Sequence, residues 1–187
     1  MDAKAEIRRR ARAARDALPA AVRTAWSERI CARVLALSAY RRAQVIHVFL
    51  PIHGEVDTRP IIVQALADRK CVAVPAFAPG EPCAVRLTTL DEASLPPGRW
   101  GLPLDRERLI APDRIDLALV PLLAYAPVGA SGKLARLGYG SGYYDRFLRM
   151  LRLDVPKVGL AFSVQRAAEV PLAPHDVLLD AVITEQT

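Results

Sequence analysis

Leu117-Ala-Leu-Val-Pro121 is an unbroken apolar run of the kind a parallel sheet buries on both faces. Working outward, Val45–Leu50 and Cys71–Pro75 upstream and Lys157–Phe162 and Val177–Thr184 downstream read as further short strands, with Ala84–Thr88 a candidate beside them. Helical patterns lie between and before them. One begins near the N-terminus, a second runs from Ala20 to Ser38, and a third is opened by Thr58 with Pro60 in its first turn. In a fourth, Tyr144, Phe147, Leu148 and Leu151 fall at i, i+3, i+4 and i+7 and share one face. Strands alternating with helices predict an α/β fold, a mostly parallel twisted sheet with helices on both faces in a Rossmann-like three-layer arrangement. The stretch from Asp91 to Asp113 is rich in Pro and Gly and reads as irregular.

The 187 residues fit a single domain spanning 1–187, and 52% hydrophobic with 25% charged residues is an ordinary globular composition. No apolar stretch approaches the roughly 20 residues a spanning helix needs; the longest, Leu117–Ala126, is interrupted by Pro121. The first residues are charged and do not read as a signal peptide. Cys31, Cys71 and Cys83 are odd in number and lack the close spacing of a zinc site, so a reducing cytoplasm is the expected location.

The loop after the central run carries the most chemistry. Arg136-Leu-Gly-Tyr-Gly-Ser-Gly-Tyr-Tyr-Asp-Arg-Phe-Leu148 places Gly138, Gly140 and Gly142 at alternate positions, where the backbone is free to take positive φ and present successive N–H groups to an anion. The helix that follows points its positive end at the same place. Arg136 adds a cation and Asp145 a carboxylate, the pair that phosphate and divalent metal require. For Asp145, spacing alone leaves two readings open, metal ligation and simple helix-end electrostatics.

The net charge of +6 is local: residues 1–42 hold eleven Lys and Arg against four Asp and Glu, and the remainder fifteen against sixteen. Ala3, Ile7, Ala11, Ala14 and Leu18 share one helical face, and Lys4, Arg8, Arg12 and Arg15 form a stripe beside it. Such a stripe is either a solvated face or a clamp for phosphates, of a nucleic acid or of a small nucleotide. No aromatic residues interleave it to stack bases.

Ligands of open α/β sheets bind beyond the carboxyl ends of the strands. That rule selects the segment Pro51–Thr58 with Glu55 and Asp57, the glycine loop, and the segment leading to Pro174-His-Asp176. Asp57 and Thr58 also suit a helix cap. His47, inside a strand, reads as a sheet-face residue, whereas His53 and His175 sit in loops.

These segments resemble the 5-formyltetrahydrofolate cyclo-ligase (5,10-methenyltetrahydrofolate synthetase) family over nearly the whole chain. The resemblance rests on Lys4-Ala-Glu-Ile-Arg8 with Arg15 beyond, Phe49-Leu-Pro-Ile-His-Gly-Glu-Val-Asp-Thr58, Arg136–Leu148 and Pro171-Leu-Ala-Pro-His-Asp-Val-Leu-Leu-Asp-Ala-Val182, with a weaker point at Gly98-Arg-Trp-Gly-Leu-Pro103. It implies ATP- and Mg2+-dependent cyclisation of 5-formyltetrahydrofolate to 5,10-methenyltetrahydrofolate, releasing ADP and phosphate. The formyl oxygen would take the γ-phosphoryl group and N10 would then attack.

Carried over residue by residue, the resemblance implies that Lys4, Arg8, Arg136, Gly138, Gly140, Ser141, Gly142, Tyr143 and Tyr144 hold ATP, with Arg136 and Tyr144 catalytic. Leu50, Glu55, Trp100 and Tyr139 would line the folate, and Asp145 and Asp176 would bind magnesium. No partner beyond the two substrates is implied, and a monomer is expected. The chain departs from the family at Ala126, where an Asp is usual, at Ser141, often Lys or Gly, and at Pro103-Leu104, where many members carry an acidic residue and proline. A few extra residues around Ala130–Ala135 lengthen the approach to Arg136. Two other readings stand beside this one: an ATP-using relative acting on another formamide or carboxylate, and a nucleic-acid-binding module built on the basic N-terminal helix.

Overall fold

A computed structural model of the chain describes residues 3–77, 80–89, 91 and 101–187. Helices α1 (Ala3–Asp16), α2 (Ala20–Ala36) and α3 (Ser38–Arg42) precede the sheet. Strand β1 (Val45–Val48) leads through α4 (Arg59–Ala67) to β2 (Cys71–Phe77). β3 (Cys83–Arg86), β4 (Leu102–Pro103) and β5 (Leu109–Ile110) follow, and then the central strand β6 (Leu117–Pro121). A hairpin of β7 (Ala124–Pro127) and β8 (Leu134–Leu137) runs into α5 (Tyr143–Arg149), β9 (Lys157–Leu160) and β10 (Ala181–Ile183).

The main sheet has the order β10-β9-β6-β1-β2-β3-β5, with β4 also paired to β2. The five strands from β10 to β2 are parallel, while β3 and β5 continue the sheet antiparallel. Every residue of β6 is buried, as its composition requires of a strand covered on both faces. From β1 the chain moves outward to β2 on one side; from β6 it moves outward to β9 and β10 on the other. Right-handed crossovers in opposite directions put α4 and α5 on opposite faces. The point where the order reverses lies between β1 and β6, and a doubly wound sheet opens a crevice there, beyond the carboxyl ends of both strands.

The mostly parallel sheet flanked by helices is the expected fold, and the differences lie at its margins. The apolar pattern ending at Ser38 is divided into α2 and α3 by Leu37, whose ψ of 138° breaks the helix. Asp91–Asp113, expected to be irregular, contains the two-residue strands β4 and β5. Thr58 precedes α4 without capping it. Its hydroxyl donates to the Phe49 carbonyl at 2.7 Å, and the Asp57 carboxylate accepts from the Arg59 amide at 3.1 Å.

The segment before Arg136, where the resemblance implies added residues, forms the β7–β8 hairpin. Gly129 and Gly132 take φ of 51° and 71° in its exposed turn, and Val128 donates to the Lys133 carbonyl at 3.0 Å. Of the residues around Ala130–Ala135, those at 130–133 are exposed in the turn while Leu134 and Ala135 belong to β8, and Arg136 is fixed by pairing with Tyr125 across the ladder. Ile7 and Ala11 of α1 pack against Ala124, Ala126, Ala135 and Leu137 of this hairpin, a small core separate from that of the main sheet. Ala126 is fully buried in that contact, where the usual Asp would need a partner.

Candidate active site

A cavity of about 720 Å³ opens at the switch point between β1 and β6. Its walls come from α1, the segment after β1, Pro121 at the end of β6, the glycine loop with the start of α5, and the His175-Asp176 segment. Lys4, Arg8, Leu50, Glu55, Arg136, Gly138, Tyr139, Gly140, Ser141, Gly142, Tyr143, Tyr144, Asp145 and Asp176 all line it. Of the residues singled out in the sequence for the site, Trp100 alone lies outside the described residues, as does the first half of the Gly98–Pro103 turn.

The glycine loop is built by two different constraints. Gly140 and Gly142 take φ of 109° and 69°, conformations that cost an L side chain strain. Gly138 is not left-handed, contrary to the pattern expected of all three glycines. A Cβ there would lie 2.6 Å from Nη1 of Arg136, so its smallness makes room for the guanidinium. Tyr144, Phe147, Leu148 and Leu151 are all buried, as their spacing predicts, and this anchors the loop's far end against β1. The ring of His47 lies 4.5 Å from that of Phe147, tilted by 40°, and its Nε2 lies 3.3 Å from the Tyr144 hydroxyl. Burial drives His47 down to about 3, so it is neutral.

Cations and carboxylates meet as two pairs at this end of the cavity. Arg136 donates to Asp145 at 2.8 Å, and its guanidinium carbon lies 5.7 Å from the centre of the Tyr144 ring. Lys4 donates to Asp176 at 2.8 Å, and the Ala173 amide donates to the same Oδ2 at 2.7 Å. Burial raises the pKa of Asp176, but the Lys4 contact, the Ala173 amide and nearby charge outweigh it and leave the group below the usual carboxylate value. Arg8 donates from Nε to the Gly138 carbonyl at 2.9 Å, fastening α1 to the loop. A spray of N–H donors, guanidinium groups and an ammonium around one opening is suited to a polyphosphate.

The opposite end of the cavity is drier. Glu55 sits in a tight turn: its Oε2 accepts from the Ile52 amide at 3.0 Å, and its own amide donates to the Ile52 carbonyl at 3.0 Å. His53 and Gly54 make that turn with φ of 49° and 76°. Burial pushes Glu55 up to about 7, against the pull of the Ile52 amide, the Tyr139 hydroxyl and the Arg15 charge. Arg15 and Arg12, read in the sequence as members of a charged stripe, both line the cavity. Arg15 is buried with Nη1 on the Tyr139 hydroxyl at 2.8 Å, and Arg12 lies 5.9 Å from the centre of the Tyr139 ring. Phe49, Leu50 and Ile52 add apolar lining at this end.

A divalent cation of magnesium type takes oxygen ligands and is commonly held by one or two carboxylates together with substrate phosphates. Asp145 and Asp176 supply two carboxylates at the cationic end of the cavity, which fits that mode. No cluster of three or more His, Cys, Asp or Glu suited to an all-protein metal cage occurs among the described residues.

A family model described as the 5-formyltetrahydrofolate cyclo-ligase family matches residues 1–185. The mouse 5-formyltetrahydrofolate cyclo-ligase is 30% identical over 98% of this chain and 92% of its own length. The Escherichia coli enzyme of the same name is 32% identical over 76% of this chain and 78% of its own. Among solved structures, a 5,10-methenyltetrahydrofolate synthetase from Mycoplasma pneumoniae superposes with a TM-score of 0.76 over 99% of both chains at 25% identity.

Proposed function

The chain belongs to the 5-formyltetrahydrofolate cyclo-ligase family, and we propose that its cavity carries that family's reaction, the ATP-dependent closure of 5-formyltetrahydrofolate to 5,10-methenyltetrahydrofolate. The observation that carries the reading is the cavity at the sheet's switch point. It joins a cationic, glycine-lined end to an apolar end closed by Glu55, room for two substrates head to head.

A formamide oxygen is a poor leaving group. In the reaction the formyl oxygen attacks the γ-phosphorus, the bond from that phosphorus to the β-bridging oxygen breaks, and ADP departs. N10 then bonds to the formyl carbon and loses its proton, and the carbon–oxygen bond breaks with phosphate as leaving group. Such a sequence asks the protein for alignment and charge neutralisation and for no covalent nucleophile. Lys4, Arg8 and Arg136 are positioned to neutralise phosphate oxygens, and the Gly138–Gly142 backbone to bind them. Tyr144 holds the Arg136 guanidinium over its ring, and Glu55, Tyr139 and Leu50 orient the folate. Asp145 and Asp176 would hold magnesium, which when bound supplies charge compensation on the transferring phosphoryl group.

The turning of Arg8 and Arg15 into the cavity favours this use of the basic stripe over a solvated face. On the same reading the chain works as one domain over 1–187, as a monomer, in the cytoplasm. No helix among the described residues is long and apolar enough to cross a membrane. Purified protein mixed with Mg-ATP and 5-formyltetrahydrofolate should develop the methenyl chromophore and release one ADP per product. If neither chromophore nor ADP forms, the reading is wrong. Product formed from a different formamide alone would favour the broader ATP-using class.

A further inference from the structure

Helix α1 faces the cavity at both of its ends. Lys4 meets Asp176 near its start. Arg15 lies eleven residues on, about 16 Å along the helix at 1.5 Å per residue. Its side chain is 1% exposed, a degree of burial rare for arginine. Nη1 donates to the Tyr139 hydroxyl at 2.8 Å and Nε reaches Asp16 at 3.4 Å, but Nη2 has no hydrogen-bond partner among the described residues. Glu55 repeats the pattern on the same wall: Oε2 is taken by the Ile52 amide, and Oε1 has no partner among the described residues. Tyr139 interacts with both side chains and so links them. An unpaired donor and an unpaired acceptor, both sealed from water and both lining one cavity, are costly in the free protein and become complementary to a ligand edge that presents an acceptor beside a donor.

Resting on the function proposed above, we propose that Arg15 is a substrate-contacting residue that selects the folate by the lactam edge of its bicyclic ring, Nη2 donating to the ring carbonyl oxygen while Glu55 accepts from the adjacent ring N–H. In the bicyclic ring the lactam carbonyl is peri to N5, so this edge starts beside the reacting formyl group and runs on to the ring N–H; Arg15 lies about 16 Å along the helix from Lys4, which the proposed function places on phosphate. A guanidinium has only donors, and Glu55 has only acceptors above about pH 7, where it is ionised, so the comparison is made above that pH. Exchange of the ring carbonyl for an amino group therefore leaves Nη2 facing a donor and removes the ring N–H from Glu55.

The test compares wild type, Arg15→Met and Arg15→Lys by the KM for each substrate, folate and ATP, by thermal midpoint, and by inhibition with a matched pair of reduced folates bearing a 4-oxo or a 4-amino group. Wild type should prefer the 4-oxo compound by at least about tenfold. Arg15→Met should raise the folate KM by about tenfold or more, leave the ATP KM within about twofold, and erase the preference. Arg15→Lys, with a single nitrogen to serve both Tyr139 and the ligand, should weaken the preference. Should Arg15→Met fail to fold, the wild-type and Arg15→Lys preferences decide: equal binding of the two compounds by wild type, or an unaltered preference in Arg15→Lys, overturns the assignment. An unchanged folate KM in folded Arg15→Met also overturns it, while wild-type turnover leaves the functional reading intact. Failure of wild type to bind or convert 5-formyltetrahydrofolate removes the functional reading itself.

Discussion

Arg136 and Asp145 are joined at 2.8 Å across the glycine loop, tying the strand that enters it to the helix that leaves it. The Arg136 side chain is 4% exposed and that of Asp145 19%, so the pair is shielded from screening by water. Asp145→Asn keeps an oxygen to accept from Nη2 but loses the charge that a divalent cation requires. Turnover should fall by about 100-fold while stability changes by no more than about 1–2 kcal/mol. Steady-state rates and a melting curve check both halves. Unaltered turnover would remove Asp145 from the metal site.

Gly138→Ala separates steric from conformational demand. The new methyl carbon would lie 2.6 Å from Arg136 Nη1, the far end of a flexible side chain, and φ at 138 is not positive. The guanidinium must shift and its bond to Asp145 loosen, so turnover should drop by about tenfold with little loss of stability. Gly140→Ala meets φ of 109° and should cost about 1–2 kcal/mol of stability as well. Equal melting points for the two variants would contradict the distinction.

The parts of this architecture that composition encodes were legible before any coordinates. Leu117–Pro121 is apolar at every position because both faces are covered, and the spacing of Tyr144, Phe147, Leu148 and Leu151 follows from the single buried face of α5. The glycine loop and its flanking charges marked one end of the cavity. Less visible were elements whose order comes from tertiary contact. β7 and β8 are four-residue strands, and β7 ends at a proline, so they read as loop; pairing with each other and packing under Ile7 and Ala11 make them a hairpin. The direction of a long charged side chain was also hidden. Nothing local distinguishes Arg15, which is buried, from Arg9, which pairs with Glu6 at the surface; only the arrival of Tyr139 from the glycine loop sets them apart.

Divalent cation and nucleotide should bind cooperatively. Asp145 and Asp176 are paired with Arg136 and Lys4, side chains that the proposed function assigns to phosphates. A cation that takes the carboxylates releases positive charge to the nucleotide, and ATP alone has to break both pairs without compensation. ATP affinity measured calorimetrically should fall by at least about tenfold in EDTA, and turnover should vanish. Asp176→Asn, which removes the carboxylate charge facing Lys4, should bind metal-free ATP more tightly than wild type does. Equal ATP affinity with and without the cation would refute the coupling.

Glu55 makes stability depend on pH in a direction opposite to that of most carboxylates. Its ordinary value of 4.5 is raised by burial to about 7 in the folded chain, with the Ile52 amide, the Tyr139 hydroxyl and the Arg15 guanidinium acting against the rise. Between those values the native state holds a proton that the unfolded chain has released, so stability falls as pH rises through the window. The contribution is complete below pH 4.5 and lost by about pH 7, with a ceiling of about 3 kcal/mol. Glu55→Gln stays neutral throughout and lacks this slope, while every other group titrates alike in both proteins. Relative to the variant, wild type should therefore be at its most stable at and below pH 4.5 and lose ground steadily to about pH 7, as read from paired denaturant midpoints. A difference that stays flat, or that grows with pH, would mean that Glu55 is ionised in the fold at the usual carboxylate pH and is better paired than its orphaned Oε1 indicates.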